Sequence, residues 1–304
     1  MTKPANLAAL GSTRPNFLLL TPVSVLLGVV VAASANLPLD GGAALIALIG
    51  AALAHISVNA LNEYEDFRSG LDLRTSRTPF SGGTGTLVTH PNLAWQVHLI
   101  GLISLALTAL CGLILSVRVG WGLLPIGALG MGLIYFYTSR INHYHWLCLI
   151  APGLGFGPLM VLGTHYAITG TWSTGAALAS LVPFFLVNNL LLLNQFPDVE
   201  PDRSVGRDTL PIALGLEGAL PVYGLFALLA YLSLVLGVAA SLLPPGALVG
   251  LLSLPAALVV YLAVRRILGQ GGSLLPALRA PMGINVALTI ATPVLMGLGI
   301  WLWP

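Results

Sequence analysis

The chain has 304 residues, of which 57% are hydrophobic and only 7% are charged, and its net charge is +2. Soluble domains carry about 25% charged residues, so this composition excludes an ordinary water-soluble domain and predicts an integral membrane protein in a lipid bilayer. The small net charge gives no basic face of the kind that binds nucleic acid, and no nucleic-acid partner is expected.

Apolar segments long enough to cross a bilayer recur along the whole chain. They lack the two-residue alternation of membrane β-barrels, so we predict an all-α polytopic fold with about nine transmembrane helices. The predicted spans lie near 17–35, 42–62, 94–115, 120–138, 146–166, 177–195, 221–243, 247–264 and 283–302. Residues Met1–Asn16 lack the apolar core and cleavage site of a signal peptide, so no removable leader is expected.

The distribution of basic residues predicts the orientation of these helices. With the N-terminus in the cytoplasm, Lys3 and ten arginines fall on the cytoplasmic side, and only Arg118 falls on the other. This bias follows the positive-inside rule. We therefore predict a multi-pass protein of the cell inner membrane whose active site faces the cytoplasm.

The first of two acidic clusters lies where the second predicted span ends. Asn59, Asn62, Glu63 and Asp66 are three or four residues apart, so on a helix they share one face. Asp72 follows shortly after, at a point where the chain can turn back. Oxygen ligands at a membrane interface suit Mg²⁺, which keeps waters and bridges to substrate phosphates. We predict these five residues as metal ligands.

The second cluster lies where the sixth predicted span ends. Asn194, Asp198 and Asp202 are four residues apart and share a face if they are helical, although Pro197 predicts a kink or a fresh helix start. Two acidic clusters on one side of the membrane predict two Mg²⁺ ions on a diphosphate, with Asp198 and Asp202 as ligands.

The likeness of the two cluster-bearing helix ends, four spans apart, indicates an internal repeat. We predict one membrane-embedded domain over residues 1–304, with two four-helix halves near 14–140 and 141–265 and an added ninth helix.

Several cytoplasmic side chains are candidates for binding the diphosphate. The planar guanidinium group suits phosphate, but topology alone also concentrates arginine in cytoplasmic loops, so both interpretations stay open. The candidates are Arg68, Arg74, Arg77, Arg140, Arg203 and Arg207, together with Asn194 and Tyr137. Tyr135 is assigned to the aromatic belt of the interface. The glycine-rich run Ser81–Thr86 lacks the Lys-Ser/Thr of a P-loop and is predicted to be a mobile loop or lid.

Two motifs resemble those of the UbiA superfamily of intramembrane prenyltransferases. Asn59-x-x-Asn62-Glu63-Tyr64-x-Asp66-Phe67-x-x-Gly70-x-Asp72 is similar to the first Asp-rich motif, and Asp198-x-x-x-Asp202-Arg203-x-x-Gly206-Arg207 is similar to the second. Arg14-Pro15-x-Phe17 resembles the N-terminal motif of the family. The form of the first motif is closest to the branch that prenylates 1,4-dihydroxy-2-naphthoate.

The chain also departs from the family pattern. Glu63 replaces the usual Asp, and Arg140 and Arg207 stand where Lys is common. The run Gly153-Leu-Gly155-Phe156 replaces the Gly-x-Gly-Glu of the naphthoate branch, which leaves the acceptor open.

The resemblance implies a nine-helix fold around a central cavity that opens sideways to lipid. Two Mg²⁺ ions would lie between the motifs and a prenyl diphosphate, with Asp66, Asp198 and Asp202 carrying catalysis. Arg14, one arginine of the loop after the first motif, and Arg140 would contact the diphosphate. The implied reaction transfers a polyprenyl group to an aromatic quinone precursor.

Other interpretations remain at this stage. The acceptor could instead be 4-hydroxybenzoate, a porphyrin side chain or a glycerol phosphate ether lipid. The rival of a different class is a secondary transporter, but its acidic groups would lie at the bilayer midplane rather than at one face.

Overall fold

Helices account for the fold, as the sequence predicts. The computed structural model describes residues 8–35, 37–270 and 274–304, and those ranges contain no strand. Seven helices are long and apolar enough to cross a membrane: α2 Gly41–Arg68, α3 Pro91–Val119, α5 His145–Thr169, α6 Thr174–Asn194, α7 Leu210–Ala239, α8 Pro245–Gln270 and α9 Leu274–Leu302. Two shorter apolar helices are α1 Leu20–Ser34 and α4 Trp121–Phe136. The all-α polytopic fold is therefore confirmed.

The two short helices coincide with the first and fourth predicted spans. The 15 residues of α1 extend about 22 Å, less than the hydrocarbon thickness of about 30 Å. The count of nine crossings therefore stays a prediction, as does the division into two four-helix halves. Lys3, which the topology prediction uses, lies outside the described residues.

The connection between α3 and α4 is a true turn rather than a kink in one long helix. Gly120 ends α3 with a φ of 129°, a backbone conformation that favours glycine. Arg118, just before it, lies 3.7 Å from Asp40, the residue that caps the start of α2. Ser69 follows the other end of α2. The turn and the first acidic motif therefore lie at opposite ends of the bundle.

Helix α5 is irregular in its middle, where a side chain of the neighbouring helix α6 forms a hydrogen bond to its backbone. Pro152 lies inside the helix and Pro158 within a π-helical stretch, Gly155–Leu162. Proline removes a helical hydrogen bond, and inside a membrane the freed backbone groups need another partner. Next to Pro152, the fully buried Asn188 of α6 binds the backbone of α5, because its Oδ1 accepts from the Gly153 amide at 2.6 Å. The break widens the helix where it borders the central cavity.

Topology can be tested with single cysteines at Ser69, Arg118 and Ser204 in a protein whose Cys111 and Cys148 are replaced by alanine. All three positions are exposed. We expect an impermeant maleimide to label Ser69→Cys and Ser204→Cys from the cytoplasm and Arg118→Cys from the opposite side. Labelling of Ser69→Cys and Ser204→Cys from different sides would contradict the predicted crossing pattern.

Candidate active site

A large cavity runs through the bundle beside α2. Its volume is about 740 Å³, and it extends from Asp66 to Ile46, which is about 30 Å along the helix axis. Most of its wall is apolar, whereas the end near Asp66 is polar. The polar end is lined by Arg14, Asn59, Asn62, Asp66, Asp72, Tyr137, Asn194, Asp198, Asp202 and Arg207. Both acidic motifs therefore open into the same space.

Arg207 joins the two motifs. Its Nη1 donates to Asp202 Oδ1 at 3.0 Å, and its Nη2 contacts Asp66 Oδ1. Both carboxylates are almost fully buried, at 5% exposure for Asp66 and 4% for Asp202. A buried charge is costly unless it is paired, so this arginine allows acids from two distant segments to approach each other inside the protein.

The asparagines of the first motif hold the N-terminal segment against α2. Asn59 Nδ2 donates to the Thr13 carbonyl at 2.9 Å. Asn62 Oδ1 accepts from Arg14 Nη2 at 3.0 Å, while its amide nitrogen donates to Thr138 Oγ1 at 3.0 Å. Arg14 adopts a left-handed conformation with a φ of 51°. These contacts bring a cation to the polar end of the cavity.

The second motif does not form one continuous helix. Helix α6 ends at Asn194, and a fresh short helix, Val199–Ser204, begins after Asp198. The helix start predicted near Pro197 is confirmed. Asn194, Asp198 and Asp202 therefore do not share one helical face, yet all three line the cavity because the chain turns between them.

Several oxygen atoms at the polar end are buried without a hydrogen-bond partner among the described residues. They are Asp72 Oδ2, Asn194 Oδ1 and Asp198 Oδ1. Burial, reinforced by nearby carboxylates, raises the pKa of both Asp72 and Asp198 to about 7. A cation among these oxygens would relieve both the missing contacts and the repulsion.

This donor set fits magnesium. Within the part of the chain that the structure describes, no three His, Cys, Asp or Glu side chains close on a metal by themselves. Mg²⁺ does not need such a cage, since it binds through one or two carboxylates, waters and substrate phosphates.

Glu63 differs from the other predicted ligands. It is fully buried, and both of its carboxylate oxygens accept hydrogen bonds from Thr84 and Thr86 of the glycine-rich loop. Glu63 shares the helix with Asn59, Asn62 and Asp66, but it is absent from the cavity wall.

The predicted arginines divide into three groups. Only Arg14 and Arg207 line the cavity. Two others bind the surrounding loops: Arg74 Nη1 donates to Ser204 Oγ at 2.9 Å, and Arg77 Nη2 donates to the Asp72 carbonyl at 3.1 Å.

The remaining three arginines are exposed and lie off the cavity wall. Arg68 pairs with Glu65 at 3.4 Å, Arg203 pairs with Glu200 at 2.9 Å, and Arg140 lies on the surface. The structure thus does not bring these three predicted substrate-binding residues to the polar end.

Two histidines outside the predicted site residues contact the second motif and the residue that follows it. His145 Nδ1 lies 2.6 Å from Asp208 Oδ2, and His143 Nδ1 lies 2.7 Å from the Gly206 carbonyl. The Asp208 amide also donates to the Asn142 carbonyl at 2.9 Å. These partners are more than sixty residues apart along the chain, so no local spacing signals them.

The model of the UbiA prenyltransferase family matches residues 21–273, a range that contains both motifs. The chain belongs to the UbiA prenyltransferase family. It is therefore a membrane-embedded enzyme that transfers prenyl groups, and the family resemblance of the two Asp-rich motifs is confirmed.

Curated UbiA relatives agree with this assignment. The chain is 30% identical over 245 residues to the 1,4-dihydroxy-2-naphthoate octaprenyltransferase of Bacillus subtilis, covering 80% of this chain and 77% of the relative. It is 33% identical over 242 residues to the enzyme of the same name from Mycobacterium tuberculosis, covering 78% of each.

Solved structures show the UbiA fold along nearly the whole chain. A structure described for digeranylgeranylglyceryl phosphate synthase superposes with a TM-score of 0.67 at 14% identity, covering 98% of this chain and 99% of the other. A UbiA homologue from Archaeoglobus fulgidus bound to DMAPP and Mg²⁺ gives a TM-score of 0.59 at 17% identity, covering 96% and 98%.

The Arg207 bridge can be tested by thermal unfolding in detergent. Arg207→Leu should lower stability by about 3–5 kcal/mol, because it leaves two buried carboxylates without a cation. Arg203→Leu is the matched control, since it removes an exposed arginine whose pair with Glu200 is worth about 0–1 kcal/mol. Equal shifts of the two unfolding midpoints would contradict the bridging role.

Proposed function

We propose that this UbiA enzyme transfers a polyprenyl group from a prenyl diphosphate to an aromatic quinone precursor, 1,4-dihydroxy-2-naphthoate, in menaquinone biosynthesis. The observation that carries the proposal is the cavity itself, which joins a polar end containing both motifs to a long apolar channel. A prenyl diphosphate has the same two parts, a charged head and a long apolar tail.

The apolar channel suits a long donor tail. It follows α2 from Val58 to Ile46, about 18 Å, and the cavity as a whole extends about 30 Å, close to the full hydrocarbon thickness. Its wall is built largely from alanine, glycine and aliphatic side chains. Such a wall binds the tail by burial and keeps water away from the allylic cation that forms when the diphosphate leaves.

The polar end suits the diphosphate and two Mg²⁺ ions. Asp72, Asn194 and Asp198 offer the free oxygens, and Asp66 and Asp202 lie beside them on Arg207. When bound, magnesium neutralises negative charge on the departing diphosphate. Arg14 approaches the same space and supplies a further positive charge next to Asn62.

The acceptor is proposed from the relatives, because the solved structures are below 25% identity and show the fold alone. The two bacterial relatives at 30% and 33% identity are both named for 1,4-dihydroxy-2-naphthoate.

We further propose that the polar end faces the cytoplasm and that the enzyme lies in the cell inner membrane, because basic residues concentrate at that end. A polar end at one face, rather than at midplane, disfavours a transporter.

A product assay tests this function. Purified protein receives one labelled polyprenyl diphosphate and, separately, 1,4-dihydroxy-2-naphthoate, 4-hydroxybenzoate or a glycerol phosphate ether lipid. We expect a prenylated product with the naphthoate, and only with Mg²⁺ present. Asp66→Ala and Asp198→Ala should abolish it, since each removes a carboxylate from the polar end. Full turnover in excess chelator would overturn the metal dependence, and a product from another acceptor alone would reassign the acceptor.

The placement of the arginines gives a separate prediction about donor binding. Arg14→Ala should raise the KM for the prenyl diphosphate by roughly 10- to 150-fold, the range expected for losing one hydrogen bond to a charged group. Arg140→Ala is the control and should leave that KM within about twofold, because Arg140 is exposed and off the cavity wall. Reversed effects of the two substitutions would show that Arg140 binds the donor.

A further inference from the structure

Glu63 is the anchor of the glycine-rich loop Ser81–Thr86. Its Oε2 accepts from the Thr84 amide at 3.1 Å. Its Oε1 accepts from the Thr84 hydroxyl at 2.5 Å and from the Thr86 amide at 3.1 Å. The two threonine hydroxyls also lie 2.7 Å apart. A buried carboxylate therefore satisfies three donors of the loop.

Glycines allow the loop backbone to lie close to the acidic residues. Gly82, Gly83 and Gly85 all have positive φ, between 70° and 83°. A Cβ atom on Gly83 would lie 2.8 Å from Asp72 Oδ1, so only glycine brings the loop so close to this acid. Phe80, just before the loop, packs against a cluster of buried residues that includes Leu278 and Met282 of α9. The loop is thus held at two points.

The loop that Glu63 binds forms part of the wall of the cavity. Ser81, Gly82 and Gly83 form part of the wall at the polar end of the cavity. Ser81, Gly83 and Thr84 also line a smaller pocket of about 240 Å³, which shares Arg14, Phe17 and Phe80 with the cavity wall. The loop therefore borders both the polar end of the cavity and this second pocket.

We propose that Glu63 is a positioning residue, not a metal ligand, and that it fastens the Ser81–Thr86 loop as a partition that excludes water from the polar end of the cavity. This inference rests on the proposed prenyl transfer. It narrows the predicted ligand set, because both oxygens of Glu63 are already bound to the loop, whereas oxygens of Asp72 and Asp198 are free.

The reaction supplies a direct readout of water exclusion. When the C1–O bond of the allylic diphosphate breaks, the electron pair leaves with the diphosphate oxygen and C1 becomes cationic. An aromatic carbon of the acceptor then forms a C–C bond with C1, and the ring regains its aromaticity when that carbon loses the group it carried, either a proton or its carboxylate as CO₂. If water enters, its oxygen forms a C–O bond instead, a proton passes to solvent, and the product is the prenyl alcohol.

The experiment measures the ratio of prenyl alcohol to prenylated acceptor in Glu63→Gln. An amide presents only one acceptor oxygen to the loop, so the ratio should rise at least about tenfold. The Mg²⁺ concentration for half-maximal turnover should stay within about twofold of wild type. Glu65→Gln is the matched control on the same helix, since Glu65 pairs with Arg68 at the surface, and it should change neither quantity.

A second variant and a second readout guard against loss of folding in Glu63→Gln. Thr84→Val removes one hydroxyl donor and should raise the alcohol ratio in the same direction. Trypsin should also cleave after the exposed Arg77, just before the loop, several-fold faster in both variants, in the absence of any substrate.

The outcomes separate the two claims. An unchanged alcohol ratio and unchanged cleavage in both variants would overturn the fastening role. If the Mg²⁺ concentration for half-maximal turnover rose about tenfold or more in Glu63→Gln, without extra prenyl alcohol, the result would show that Glu63 is a metal ligand. If the wild-type enzyme prenylates none of the acceptors, the proposed function fails, while faster cleavage in the variants still supports the fastened loop.

Discussion

The structure depends on the contact of one arginine with two buried acids. Asp66 lies in the last turn of α2, and Arg207 follows it by 141 residues. Without a cation between them, Asp66 and Asp202 would repel each other in a poorly solvated space, and the two motifs would separate. Arg207 belongs to the second motif, so the second motif itself supplies the cation that binds Asp66 of the first motif.

Hydrogen bonds from buried asparagines also connect the helices around the cavity. At the break in α5, the Oδ1 of Asn188 accepts a hydrogen bond from the Gly153 amide. On the other side of α6, Asn189 Nδ2 donates to the Tyr223 carbonyl, and Asn285 Nδ2 donates to the Asn189 carbonyl. These contacts connect α6 to α5, α7 and α9 beside the cavity.

At the polar end, oxygens that accept hydrogen bonds from the protein lie near oxygens that have no hydrogen-bond partner. We interpret the two kinds of oxygen as having different functions. The oxygens of Glu63 and Asn62 are engaged by the protein, and we interpret these two residues as parts of the scaffold that holds the loop and the N-terminal segment. The free oxygens of Asp72, Asn194 and Asp198 are the groups that a cation would complete. The exposed arginines add positive charge near this end without entering it.

The sequence by itself determined the all-helical membrane fold, the approximate spans and the two acidic clusters. The reason is that the length of an apolar segment and the position of its flanking charges are local properties, and these determine how a helix inserts in a bilayer. The family assignment followed from motifs of a few residues each. Only the tertiary structure decided which members of those clusters face the cavity. Asn59, Asn62, Glu63 and Asp66 are equivalent by helical spacing, yet Glu63 bonds to Thr84, and that choice depends on a loop about twenty residues away. Arg140 and Arg207 are equally plausible from the sequence, and their separation into surface and site depends on how the loops fold back. The reason is physical: a side chain's role in a buried site is set by its nearest polar partners, and those partners come from distant segments that helical periodicity does not connect.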